Sequence, residues 1–300
     1  MTNHDETLLW HYTRRDPAEK IISFRSFWAS SILFLNDSTE FDHLRDLITE
    51  WIKITPSNVG GWGDPKDVPY FLKGSQTVVV ESFRKSLFHP SRMHAYIISL
   101  TTVRDDLSQW RAYGTGGGMS LGFSKGELTD VAESAGFQLE DCIYDDAVKR
   151  SLVHQLMVKH VAEYDKVAKS LERDDLLNSS MGSWTFSEPM KDLLRNFYAD
   201  AQRLACRIKS SAFAAERECR LIGLFAPNAK DVRFRHNDSM TVPYRVFSME
   251  KDGKLSALRK IVAGPSPHID LNHLAFQGIC LHNGLLDVEI TDSSIPFRFW

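Results

Sequence analysis

The segment Ser108-Gln109-Trp110-Arg111-Ala112-Tyr113-Gly114-Thr115-Gly116-Gly117-Gly118 sits between two apolar runs, Tyr96–Leu100 and Met119–Phe123. Both flanks are β-leaning and read as buried strands. A polar, aromatic, glycine-rich loop is therefore expected between two strands of one sheet. Such a loop presents hydrogen-bonding and stacking groups to a ligand, and its glycines let backbone approach closely. Arg111 can fork onto a phosphate or carboxylate. Trp110 and Tyr113 offer flat faces to a base, and Gln109 offers an amide. The competing reading makes Trp110 a core anchor and Arg111 a structural ion-pair partner. The stretch after the glycines reads as a strand, so neither a Walker loop nor a Gly-x-Gly-x-x-Gly helix entry applies.

The rest of the chain predicts an α+β fold with a mixed or antiparallel central sheet. Leu8–Thr13 reads as a first strand, and Asp16-Pro17 with Glu19 as a helix start with Asp16 capping. Asn36-Asp37-Ser38-Thr39-Glu40 reads as a turn feeding an amphipathic helix through Phe41, Leu44, Leu47, Ile48, Trp51 and Ile52. An exposed loop is expected at 56–69, a helix at 76–87 and a short strand at Ile143-Tyr144. Residues 146–207 turn helical, with an interruption near 178–183, and form a helical insertion. Strands follow at 216–225, 241–247 and 260–263, then a helix at 269–280 and a strand at 286–290. No strong linker interrupts the 300 residues, which favours a single domain, 1–300.

Composition narrows the classes. A net charge of -3 argues against a bulk positive field for nucleic acid. No apolar run approaches the roughly 20 residues of a membrane span, and the polar, acidic N-terminus is not a secretory signal. Cys142, Cys206, Cys219 and Cys280 form no Cys-x-x-Cys pair, which points to reduced thiols in a cytoplasmic setting without a zinc site.

Two further constellations can carry chemistry. His11, Tyr12 and Thr13 end the first strand, with His11 and Thr13 on one side of it. They can meet a planar amide and a ribose hydroxyl, or simply cap the strand end. Glu216, Glu218 and Arg220 alternate along the later strand and are expected on one face. Two carboxylates there can hold a ribose hydroxyl and steady an oxocarbenium-like centre, as in glycoside chemistry. The competing reading is a Glu–Arg ladder on an edge strand. Asn36 and Glu40 are further candidates if their turn lies beside the loop.

Trp10–Thr13, Phe34–Phe41, Ser108–Gly114, Phe213–Leu221, Ile261–Pro265 and Ser294–Arg298, in that order, resemble the bacterial family catalogued as domain of unknown function 2971. Cys219 departs from it where an aromatic, usually tryptophan, is expected. More distantly, the His-x-Thr strand, short helix, aromatic turn and late Glu-x-Glu strand look like the ADP-ribosyltransferase fold. That resemblance implies NAD as substrate and no metal, with His11 and Thr13 at the nicotinamide end. It implies Glu218 as the acid, Glu216 assisting or positioning the acceptor, and Arg111 at the diphosphate. It further implies a bacterial toxin or phage-defence effector acting on a nucleic acid or a protein. The alternatives are a non-catalytic nucleotide-sensing or nucleic-acid-binding module using Trp110, Tyr113 and Arg111, and a metal-dependent nuclease built on Asp37, Glu40, Glu216 and Glu218.

Overall fold

A computed structural model describes residues 6–34, 39–53, 95–170, 178–180, 183–185, 188–225, 230–236, 239–250 and 255–296. The expected loop at 56–69 and helix at 76–87 lie outside the described residues, as do Asn36 and Asp37. The chain divides into two compact units, Met1–Phe34 with Tyr96–Cys142 and Ala212–Trp300, and Leu35–Ala95 with Ile143–Ser211.

The first unit is built on a ten-stranded, mostly antiparallel open sheet. Its strands are β1 (Leu8–Thr13), β2 (Ser26–Ser31), β3 (Ala95–Thr101), β4 (Met119–Ser124) and β5 (Phe137–Asp141). They continue, after two strands (β6, Asn178–Ser180, and β7, Ser183–Thr185) that belong to the second unit, with β8 (Glu218–Leu224), β9 (Arg233–His236), β10 (Thr241–Ser248), β11 (Leu258–Ala263) and β12 (Glu289–Asp292). The order is β12-β11-β4-β1-β3-β2-β10-β9, with β8 added on β3 and β5 on β8. β11 and β12 pair in parallel and are joined through a helix, as a parallel crossover requires.

Side chains alternate across each strand, so each sends one set to the main core and the other set away from it. The core set comprises Leu9 of β1, Ile98 and Leu100 of β3, Leu121 and Phe123 of β4, and Cys219 and Leu221 of β8. Helices α1 (Arg15–Phe24), α4 (Lys125–Ser134) and α7 (Ile269–His282) close this side through Ile22, Leu128 and Phe276. Cys219 is fully enclosed there.

The second unit contains α2 (Thr39–Lys53), α5 (Asp146–Ser170), α6 (Glu188–Ala205) and a short hairpin, β6 (Asn178–Ser180) with β7 (Ser183–Thr185). This is the expected helical segment, with the hairpin at the expected interruption. Val153, Met157 and Val161 of α5 and Leu194, Phe197 and Ala201 of α6 recur at helical spacing and are buried.

Four sequence expectations are corrected. Ser108–Tyr113 is not loop: Leu107–Tyr113 forms a helix, α3, capped by Asp106, whose carboxylate accepts from the backbone N–H groups of Ser108 and Gln109. Asp16 is not a cap; α1 begins at Arg15, and Asp16 lies in its first turn, paired with Lys20 at 2.9 Å. Glu216 is not on the strand: Ser211–Glu216 is a 3-10 turn, Arg217 takes a left-handed φ of 43°, and β8 starts at Glu218. Ile143 makes only an isolated bridge to Ile208, and the strand read near there is β5, a few residues earlier.

Candidate functional site

Trp110 is fully buried, which favours its reading as a core anchor over a stacking platform. It belongs with Trp10, Tyr12 and Val262 to a second buried cluster, on the side of the sheet away from the main core. Its ring meets Tyr12 edge to face, with centroids 4.6 Å apart. Two glycines make room for it. A Cβ on Gly114 would stand 2.5 Å from Trp110 Cε3, and one on Gly264 2.7 Å from Cζ3. The indole N–H donates to Asp105 at 2.7 Å. The same carboxylate accepts from the Ser293 hydroxyl and from the Ser294 backbone and hydroxyl. Burial pushes Asp105 up, but the donors Ser293, Trp110 and Ser294 outweigh it and leave its carboxyl below the usual range.

Tyr12 completes this knot. Its hydroxyl donates to the Val103 carbonyl and accepts from the Asp106 N–H, so it holds the loop that starts α3. Burial pushes its phenol well above the ordinary value. Three of the segments that the sequence offered as motifs, Trp10–Thr13, Ser108–Gly114 and Ile261–Pro265, therefore meet around one indole. On α3 itself the side chains of Gln109 and Trp110 are buried, whereas Arg111 and Tyr113 are exposed.

Glu218 and Arg220 also point away from the main core, because Cys219 and Leu221 between and beyond them point into it. Both are buried. Arg220 grips the carboxylate with two N–H groups, Nε to Oε1 at 2.7 Å and Nη2 to Oε2 at 3.1 Å. Directly across on β5 stands Glu140. β8 lies between β3 and β5, so this Glu–Arg arrangement is interior to the sheet and not on an edge. Glu216 precedes the strand, its backbone carbonyl held by the Thr101 hydroxyl at 2.6 Å.

His11 shares the core side of β1 with Leu9, opposite Leu121 of β4. Its ring packs edge-on to Phe27, with centroids 4.9 Å apart. Nδ1 donates to the Ser99 carbonyl of β3 at 3.0 Å. β3 has three partners and only two edges, so the sheet forks there. β1 meets β3 at Thr101 and β2 meets it at Tyr96 and Ile97. Ser99, the exposed residue of an otherwise buried strand, lies between those registers. Burial holds the His11 imidazole below the usual value, the Ser99 carbonyl opposing, and the ring stays neutral at neutral pH.

The structure thus gathers Tyr12 and Trp110, and separately Glu218 and Arg220, on the side of the sheet away from the core. His11 faces the other way on β1, with Thr13 on the same side of the strand. Glu40 lies in α2, in the second unit. Sequence reasoning missed Asp105. The signal available was Asp105-Asp106 with Gln109 three residues after Asp106, a capping-box spacing. Among the described residues no group of three or more His, Cys, Asp or Glu side chains could hold a metal ion, and no helix is long and apolar enough to cross a membrane.

No curated protein and no solved structure matches the chain. Residues 109–221, running from Gln109 of α3 to Leu221 of β8, match the family model described as protein of unknown function (DUF2971).

Proposed function

We propose that the chain is an enzyme of the ADP-ribosyl-transfer or NAD-cleaving class, with Glu218 as its acid. The observation that carries this reading is a buried carboxylate, fixed by a bidentate guanidinium, on a strand interior to the sheet and turned away from its main core. In the reaction the bond from ribose C1 to the nicotinamide nitrogen breaks, and its electron pair leaves with nicotinamide. A water or acceptor oxygen then bonds to C1 and loses its proton. Glu218 accepts a ribose hydroxyl and opposes the positive charge that develops on the sugar. Arg220 sets that group's orientation through its two N–H groups. Glu216, at the turn before β8, is placed to position the acceptor. Arg111 and Tyr113, exposed on α3, are groups for the polar part of the nucleotide.

The test is nicotinamide release from NAD, followed by chromatography. Wild type is expected to release it, and Glu218→Gln to lose at least about a hundredfold in rate, the scale of removing one electrostatic stabiliser. Equal rates in the two proteins would sink the assignment of Glu218. A second reading, a nucleotide-binding module without turnover, is favoured by one fact: both Glu218 oxygens are already engaged by Arg220, which offsets the charge an oxocarbenium would need. Saturable NAD binding with no nicotinamide released would select it.

A further inference from the structure

The glycine run has a second consequence, at the end of the turn after α3. Asn272, in the first turns of α7, is only 9% exposed. Its Oδ1 accepts from Arg15 Nη1 at 3.1 Å. A guanidinium only donates, so this contact fixes which end of the amide is oxygen and turns the NH2 the other way. That Nδ2 is buried and has no hydrogen-bond partner among the described residues. An unmet buried donor is costly, and the positions of such groups call for an explanation.

Nδ2 points at Gly117. A Cβ there would stand 3.2 Å from Asn272 Nδ2 and 2.7 Å from Ser266 Cβ. Gly117 has a φ of +83° and Gly116 of +74°. The space around Gly116 is open, with nothing within 4 Å of where its Cβ would lie, so this part of the turn has room to lift off the amide. Ser266 and His268 lead into α7; the His268 N–H is held by the Ser266 hydroxyl, and no side chain caps the helix. The N-terminal end of a helix carries partial positive charge and donors suited to an anion. Arg14 and Arg15, both exposed, follow β1 directly. The one opposing charge in the first turn of α7 is the exposed Asp270.

We propose that Asn272, Arg15 and the Gly116–Gly117 turn form a site for a phosphoryl oxygen at the N-terminal end of α7. The amide supplies the donor left over from Arg15, Arg15 supplies charge, and the turn, whose Gly117 packs against Ser266 and the amide because it lacks a side chain, lifts to admit the oxygen. The site deepens the nucleotide reading by placing its phosphate, and rests on that reading only for the carrier of the phosphoryl group.

The full chain is titrated by calorimetry with inorganic pyrophosphate and with ADP. Wild type is expected to bind both; ADP binding more tightly assigns the site to a nucleotide, and equal affinity to the anion alone. Asn272→Asp keeps the shape and the Arg15 contact but replaces the donor by a carboxylate, and is expected to weaken both ligands about tenfold or more. Arg15→Gln, at an exposed position and with its folding checked by urea unfolding, is expected to weaken them about fivefold and decides the matter should Asn272→Asp unfold. Absence of binding to wild type, or unchanged affinity in both variants, overturns the site. Pyrophosphate binding without nicotinamide release keeps the site and sinks the enzymatic reading, so the two can fail separately.

Discussion

The Trp110 knot and the Glu218–Arg220 pair lie on the same sheet and are both turned away from its main core, yet they are held together by opposite means. In the knot, a large aromatic ring is enclosed by Trp10, Tyr12 and Val262 and by two glycines whose missing side chains make its space. Its one polar atom is met by Asp105. Shape decides it. In the pair, two full charges are buried and answer each other. Taking ions out of water costs several kcal/mol each, and their attraction returns little beyond that unless geometry is good. The knot is therefore read as a device for stability. The pair is therefore expected to add little net stability for its burial.

Trp110→Ala should bring out this difference most strongly. It removes the ring from a site that glycines have shaped to it, and the expected loss is about 3–5 kcal/mol, measured by urea unfolding. Typical domains have only about 5–15 kcal/mol to lose. Trp110→Phe retains most of the packing but deprives Asp105 of one donor, and should cost clearly less. A loss below about 1 kcal/mol for the alanine variant would contradict the description of Trp110 as an anchor.

The pair should respond to mutation in a way the knot cannot. Arg220→Met leaves Glu218 buried without its cation and is expected to cost about 3 kcal/mol. Changing both, Glu218→Met with Arg220→Leu, removes the uncompensated charge and should recover most of that stability; under the proposed function it also abolishes nicotinamide release. No second change restores Trp110→Ala in this manner. A double variant as unstable as Arg220→Met alone would show that the pair is structural scaffolding and erase the contrast.

How much of this was legible in the sequence divides along the same line. Strands β1, β3, β4, β8, β10 and β11 were readable from apolar, β-leaning runs, and the long helices from residues such as Val153, Met157 and Val161 at helical spacing, whereas β2, β5 and β9 were not. α3 was hidden by its seven-residue length and by the glycines behind it, although Asp106 with Gln109 announced its start. The role of Trp110 could not be read locally, since its enclosure depends on Gly264 about 150 residues later. The alternation of Glu216 with Glu218 failed for one backbone angle, the left-handed Arg217, which no residue pattern discloses for an arginine. The pairing of Glu218 with Arg220 followed from the alternation; that both would be buried did not. Asn272 gave no signal in the sequence, because its unmet donor exists only once Arg15 and Gly117 have been brought to it.

The smallest effect concerns the Asp105 carboxylate itself. Asp105 is held by neutral donors, the Trp110 indole and the Ser293 and Ser294 groups. The folded chain depresses the Asp105 carboxyl below its unfolded range, burial opposing and the donors Ser293, Trp110 and Ser294 prevailing. In that case the unfolded chain binds the proton first as pH falls, and the stability tied to this group is complete above roughly pH 4 and declines below it. Asp105→Asn should cost about 1 kcal/mol at neutral pH, since an amide cannot accept from all of those donors. It should also flatten the part of the stability curve below roughly pH 4, leaving the rest of the curve parallel to wild type. The measurement is a series of urea midpoints from pH 7 down to the onset of acid unfolding. Curves for Asp105→Asn and wild type that stay parallel into the acid range would mean that the carboxylate is not what ties the Ser293–Ser294 segment to the indole. The knot would then rest on packing alone.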